Sequence, residues 1–567
     1  MVKRRDVLKM GLAAGGSAGL LGSRGGYAQL CDPDGRPPVL EVAPSPAVVP
    51  FTAPLFIMPV LQPVPQSVID NSPEGPVDPD AHQRYNEFLP QKYYVQHINE
   101  FRWVYHPSGP YAAGAWHWGF DGLVPGATIV GRYGEPILVR RFNDVPPVGV
   151  TKVTFALPSF TVHHHNGHQA SESDGIPQNY FNPGEIWDYH FPHFPAGSPN
   201  DPLGLNGDQE VMNTLWYHDH RLDFTATNVY AGIHGFYLLF DRKDSGDEND
   251  TNPEAFRLPS GKYDVPLMLN DVLFALDANG EAQVVFDRSL LNGWLGDKIC
   301  VNRTIEPFLN VERRKYRFRI LNSGPSRLYQ LFMSDDSPFL VLTTDGNMLP
   351  EPLIAESLTL GVAERHDVII DFSRYQAGQT VEIWNRMEQT DGAGPTGRLV
   401  EPGMPVIQFR VVAATGPDNS RIPDVLRPLP AIDLNEVIRE RDFVFDYDGG
   451  VWTINGKTMV EDRIDVGIRM NSAEIWTFRN AGTTWSHPVH THFEEFQILK
   501  WNGVPIPNGS VLRSRKDVAT IGPGDTVTFF GRWRDFEGLH VMHCHNVVHE
   551  DHAMMLNWKM VPAGQDF

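Results

Sequence analysis

The stretch HVMHCHNVVHEDHAMM, residues 540–555, sets three metal-ligating side chains, His543, Cys544 and His545, in a row and follows them with His549 and two methionines. On an extended strand, neighbouring side chains point to opposite faces and residues i and i+2 share one. Read as a strand over 541–547, the segment turns His543 and His545 one way and Cys544 the other. One tetrahedral metal cannot easily take all three. The stretch therefore predicts a strand with two sites, their ligands interleaved along it.

The same spacing recurs in TVHHHNGH (161–168), LWYHDHRLD (215–223) and WSHPVHTHFE (485–494), giving the pairs His163/His165, His218/His220, His490/His492 and His543/His545. A single His-x-His is weak evidence, because surface histidines or a mononuclear zinc site account for most of them. A tetrahedral zinc site takes at most four ligands, and eight paired histidines overshoot it. Four pairs beside strand-like sequence predict a multinuclear copper site assembled from two domains. Cys544 then needs a metal of its own. His549 lies just downstream, Met554 follows it by five residues, and His487, at an odd offset from His490, faces away from the His490/His492 side. Two histidines, a thiolate and a weak axial methionine define a blue-copper electron-transfer site.

The remaining sequence reads as all-β. With 51 glycines and 47 prolines among 567 residues, the apolar stretches are short and end in turns, which favours strands over long helices. The length suits three or four domains rather than one core. Residues 29–80 are proline-rich and predict an extended arm rather than a packed element. KYYVQHI, ATIVGRY and PILVRRFNDVP open a first block, 81–245, which closes before the acidic linker DSGDENDTNPEA. A second block, 246–430, holds one histidine, His366, and no ligand cluster. The third, 431–567, carries the other histidine clusters. Three β-sandwich domains are expected, with the ligands in the first and last.

The four clusters resemble the copper motifs of the three-domain multicopper oxidases. Between them, SDGIP, WYHDH, NVYAGIHGFYLL, ERRKYRFRILN and HDVIIDFS are similar to the branch that holds bacterial spore-coat laccase, bilirubin oxidase and phenoxazinone synthase. The resemblance covers most of the chain after the leader and implies three cupredoxin-like Greek-key β-sandwiches binding four copper ions, one type 1, one type 2 and two type 3. Carried over residue by residue, it places the type 1 copper on His487, Cys544, His549 and axial Met554, and the type 2 copper on His163 and His490. One type 3 copper falls to His165, His218 and His545, the other to His220, His492 and His543. The first motif departs from the family's His-x-His-Gly, because Asn166 precedes Gly167, and His164 and His168 offer other registers. The TVH lead-in and the spacing to SDG favour His163/His165. Met555 is the rival axial ligand, and spacing favours Met554. Asp174 and Glu550 match family acids on the oxygen side, Glu550 being linked to proton delivery. For each, the alternative is a hydrogen bond that merely orients a histidine.

The activity this implies is that of a laccase-type oxidase. A small reducing substrate (a phenol, an aromatic amine or a bilirubin-like pigment) gives up electrons singly at the type 1 copper, and dioxygen is reduced to water at a trinuclear cluster. The chain bonds from Cys544 to His543 and His545 offer a short covalent route between the two. A metallo-oxidase acting on Mn(II), Fe(II) or Cu(I) is the alternative. No methionine-rich insert favouring Cu(I) is visible among the 15 methionines, while an acidic surface suits Mn(II) or Fe(II). A non-catalytic copper-binding protein would need no electron-transfer cysteine.

The formal charge of −22 argues against nucleic-acid binding, which needs basic patches. No internal run of about 20 apolar residues predicts a membrane span, and a monomer is expected. Residues 1–28 begin MVKRRDVLKM. Arg4-Arg5 followed by DVLK resembles the twin-arginine signal that exports folded, cofactor-loaded proteins, which predicts a periplasmic or extracellular location. Cys31 follows AQL, where a lipoprotein signal requires a small residue. Outside the cytoplasm Cys31 and Cys300 could pair.

Overall fold

The structure, a computed structural model, describes residues 43–562 and 565. The leader 1–28 and Cys31 lie outside the described residues. Strands with alternating burial, such as Lys92–Trp103 and Thr380–Met387, and strands buried on both faces, such as Thr214–Asp219 and His487–Thr491, build three two-layered β-sandwiches. In the first, strands Ala115–Phe120, Lys92–Trp103, Ile137–Asn143 and Ile186–Phe191 form one sheet in that order. Strands Gly126–Arg132, His234–Phe240, Thr214–Asp219 and Val162–His165 form the other. Ile98, Ile137 and Val139 from one layer meet Ile129, Leu215 and Tyr237 from the other in a single apolar cluster. Lys92–Trp103 is antiparallel to one neighbour and parallel to the next, an order no simple meander produces.

The middle sandwich sets a seven-stranded sheet against a five-stranded one around Phe318, Ile320, Val341, Ile383 and Phe409. The third repeats that arrangement around Phe443, Trp476, Phe478, Phe529 and Cys544. Together these sheets give the cupredoxin-like all-β fold expected from the sequence. Among the described residues the longest α-helix is Thr225–Ala231, and no helix is long and apolar enough to cross a membrane.

The proline-rich segment is packed as well as extended. Pro54, Val60 and Val64 form bridges to Phe308, Thr128 and Tyr93, and Leu55 and Met58 are buried in two separate apolar clusters. Proline removes an N–H but leaves the intervening residues free to pair and to bury their side chains, so extended backbone and packing coexist.

The strand expected over 541–547 starts earlier and stops sooner, spanning Gly538–Cys544. Its pairing with His487–Thr491 ends at Val489 opposite Cys544, because the next partner, Pro488, has no N–H to offer. The Pro488 carbonyl instead accepts from the His545 amide at 2.5 Å. A short helix, Val547–Asp551, then carries His549. Cys300 is buried and, among the described residues, unpaired.

Candidate metal centre

The histidine strands come from two sandwiches. Val162–His165 pairs antiparallel with Thr214–Asp219, setting His163 opposite His218. In the third sandwich, His490 stands opposite His543. Alternation then sorts the first cluster. His163 and His165 face the ligands of the third sandwich, whereas His164 packs on Tyr237 and Phe191 with ring centroids 4.0 and 4.7 Å away. Asn166, the departure from the family pattern, sits at φ 58°, a left-handed conformation that asparagine tolerates. A Cβ on Gly167 would fall 2.2 Å from His164 Nδ1, so only glycine fits. His168 is held by Asp535 Oδ2 at 2.9 Å and joins no ligand group.

Each clustered imidazole is buried, and most have one nitrogen committed. His163 Nδ1 donates to the carbonyl of Asp174 at 2.5 Å, His218 Nδ1 to that of Asp219 at 2.8 Å, and His490 Nδ1 to that of Asp517 at 2.8 Å. Their Nε2 atoms are left buried without a partner. His165 is reversed: Nε2 faces Asp517 Oδ1 at 3.1 Å and Nδ1 is unpartnered. His220, His492 and His543 converge, with Nε2 separations of 3.1, 3.1 and 3.3 Å. Their Nδ1 atoms face carboxylates, Glu550 at 3.3 Å from His220 and 2.9 Å from His543, and Asp174 at 2.8 Å from His492.

A neutral imidazole donating from Nδ1 has only a lone pair at Nε2. Three lone pairs aimed at one point repel unless a cation lies between them, and a buried unsatisfied polar group costs about 1–3 kcal/mol. Burial also holds His163, His165, His490, His492 and His545 well below the usual histidine range, in the neutral form a metal requires. Three groups result, each with nitrogens within 4.8 Å of one another: His163, His165 and His490; His165, His218 and His545; and His220, His492 and His543. These residues fit metal ions.

On the opposite face of the same strand, Cys544 Sγ lies 3.4 Å from His487 Nδ1 and 3.6 Å from His549 Nδ1. Burial pushes the Cys544 thiol well above its ordinary range, so its thiolate depends on a neighbouring cation. Met554 shares the apolar cluster of Cys544, whereas Met555 packs elsewhere, with Leu222 and Met459. Imidazole, thiolate and thioether together suit copper.

Residues 435–564 match the multicopper oxidase family model. The chain is 32% identical over 529 residues to the bilirubin oxidase of Albifimbria verrucaria, an alignment covering 90% of this chain and 81% of that one. The chain belongs to the multicopper oxidases. A laccase of Bacillus subtilis (strain 168) is 28% identical over 479 residues, 77% of this chain and 89% of that one. Among solved structures, a laccase from Pediococcus acidilactici aligns with a TM-score of 0.70 at 23% identity, over 92% of this chain and 95% of that one. This multicopper oxidase is accordingly a copper-dependent oxidoreductase that takes electrons from a reducing substrate and uses dioxygen as acceptor.

Both acids expected at the site of this multicopper oxidase touch histidines. Asp174 also accepts from Gln169 Nε2 at 3.0 Å. Burial raises the Asp174 carboxyl, but His163, His540 and Gln169 outweigh it and lower the pKa. Glu550 is likewise raised by burial and brought down to about 2 by His543 and His220. Two residues escaped the sequence pattern. Asp517 bridges His165 to Arg365 Nη1, 2.7 Å away in the middle sandwich. Its partners stand 152 and 352 positions away along the chain, so no local motif betrays it. Asp219 was in principle findable as the central residue of His-x-His. It accepts from Thr161 N, Arg221 N and Asn228 Nδ2, and burial pushes its carboxyl up to about 8.

Proposed function

We propose that this multicopper oxidase is a laccase-type enzyme holding four copper ions, with phenols, aromatic amines or bilirubin-like pigments as donors. His487, Cys544, His549 and Met554 would hold the type 1 copper, and His163 and His490 the type 2. His165, His218 and His545 would hold one type 3 copper, and His220, His492 and His543 the other. Bound copper supplies one-electron acceptance at the cysteine site and reduction of dioxygen to water at the histidine cluster. The chain's own residues fix the arrangement. Cys544 is joined by peptide bonds to a histidine of each type 3 group, so the two sites communicate through the backbone. Glu550 holds the Nδ1 atoms of His220 and His543, and Asp174 that of His492. Both carboxylates would pass on protons consumed in forming water, in addition to orienting the histidines they touch. Their burial also keeps bulk water from competing for these nitrogens.

The observation that carries this reading is the placement of Cys544 against His487 and His549 while its chain neighbours face the histidine cluster. Metal-ion donors, Mn(II), Fe(II) or Cu(I), are a second reading, favoured by the net charge of −22. The arginine pair Arg4-Arg5 supports export of the folded protein. Oxygen uptake by copper-loaded protein, measured with a phenol, bilirubin, Mn(II), Fe(II) and Cu(I) in parallel, decides among donors. A colourless protein that consumes no oxygen with any of them overturns the oxidase reading.

A further inference from the structure

The imidazoles beside Cys544 are not presented to solvent: His487 is 1% exposed and His549 0%. His549 Nδ1 points at the thiol, so Nε2 is the edge turned away from it, with Asn546 Nδ2 3.2 Å distant. That edge is already taken by the backbone carbonyl of Asn292 at 3.0 Å. Asn292 belongs to the loop that runs from Ala282–Val284, half of a separate two-stranded hairpin, into strand Lys298–Val301 of the middle sandwich, a sandwich that contributes no member of the ligand groups.

The loop is tied down across the site. Trp452 Nε1 donates to the Leu291 carbonyl at 3.2 Å, and Trp485 Nε1 donates to Asn292 Oδ1 at 2.9 Å. Gly293, at φ +125°, abuts Gly392 so closely that a Cβ on Gly392 would lie 2.4 Å from the Gly293 Cα. Only glycine permits that approach. The Trp452 ring also lies against His549, centroid to centroid 3.9 Å with the planes tilted by 31°. Leu291 and Asn292 are themselves half-buried, so part of this loop is exposed to solvent while His549 is not.

We propose that this strap, residues 290–292, replaces the His549 ring edge as the donor contact and sets substrate selectivity. The inference rests on the oxidase reading above. Each phenol oxidised there would lose one electron, for which the Asn292 peptide and its hydrogen bond to His549 offer the path inward, and one proton, which would leave to solvent. Four such events supply the four electrons that one O2 takes up with four protons to give two waters. Donors that react without docking, such as hexacyanoferrate(II), tolerate the strap. Phenols, which gain from direct contact with an imidazole edge, are held back by it.

The test uses copper-loaded Asn292→Ala and Trp485→Phe, which break one hydrogen bond from its two ends, and a variant with Ser289–Leu291 replaced by a single glycine. The ratio of kcat/KM for 2,6-dimethoxyphenol to that for hexacyanoferrate(II) is measured, with hydrogen exchange of residues 286–294 and the blue absorption as readouts independent of turnover. A change in copper potential moves both donors together, whereas opening the strap moves the phenol. The expected result is faster exchange and a ratio at least tenfold higher in all three variants, with the blue band kept. A ratio within twofold of the starting protein in the shortened variant overturns the proposal, whatever the point variants do. Absence of oxygen uptake by the unaltered protein with hexacyanoferrate(II) would instead overturn the oxidase reading, and the strap's role with it.

Discussion

Cys544 shares a backbone with His543 and His545 and shares a ligand group with neither. Replacing it by serine keeps the size and removes the soft donor, and a hydroxyl is a poor partner for copper. Cys544→Ser is expected to lose the blue colour and donor-driven oxygen uptake while keeping copper on the histidine cluster. Visible absorption and the copper-to-protein ratio check this, and a variant that stays blue places the ligand elsewhere. Glu550 faces two imidazole nitrogens at once. Glutamine can accept from one of them but turns an amide N–H on the other. Removing such a carboxylate behind metal-bound histidines typically costs roughly 10–100-fold, so Glu550→Gln should slow oxygen uptake by about that factor with the blue band unchanged. Unaltered turnover would leave Glu550 a packing residue.

Strand periodicity acts one level up, because each His-x-His pair faces one way only while the strand stays in register. In His487–Thr491 this has an added consequence: His487 serves one site and His490 the other, three residues apart. Inserting an alanine between Val489 and His490 turns His490 and His492 to the wrong face and leaves His487 beside Cys544. The expected product is folded by circular dichroism, still blue, and depleted of copper in the histidine cluster. Full copper content would show that something other than alternation aims the pair. These strands were legible because a two-residue period needs only local sequence. The end of the strand at Cys544 was not, since it depends on Pro488 lying opposite in a separate strand.

The first and third sandwiches also meet through half-buried charge. Glu210, from the first, contacts Arg515 at 2.8 Å and Arg534 at 3.1 Å in the third. Burial raises its carboxyl, but these arginines more than compensate and bring it from 4.5 to about 2. A folded-state pKa below the unfolded one contributes stability that is present above the unfolded pKa and lost as pH falls toward the folded value. Glu210→Gln should therefore lower the urea midpoint at pH 7, with the difference from the parent shrinking between pH 4.5 and about 2. A difference that does not change over that window would show that the pair contributes nothing through ionisation. By itself the sequence determined the all-β class and the four His-x-His pairs. It also determined the opposite facing of Cys544, because alternation along a strand is a property of neighbouring residues. Only the tertiary structure decided that Asp517 and Arg365 stand behind His165 and that Asn292 lies across His549. Those contacts join residues hundreds of positions apart, and no local spacing encodes which distant loop will close over a site.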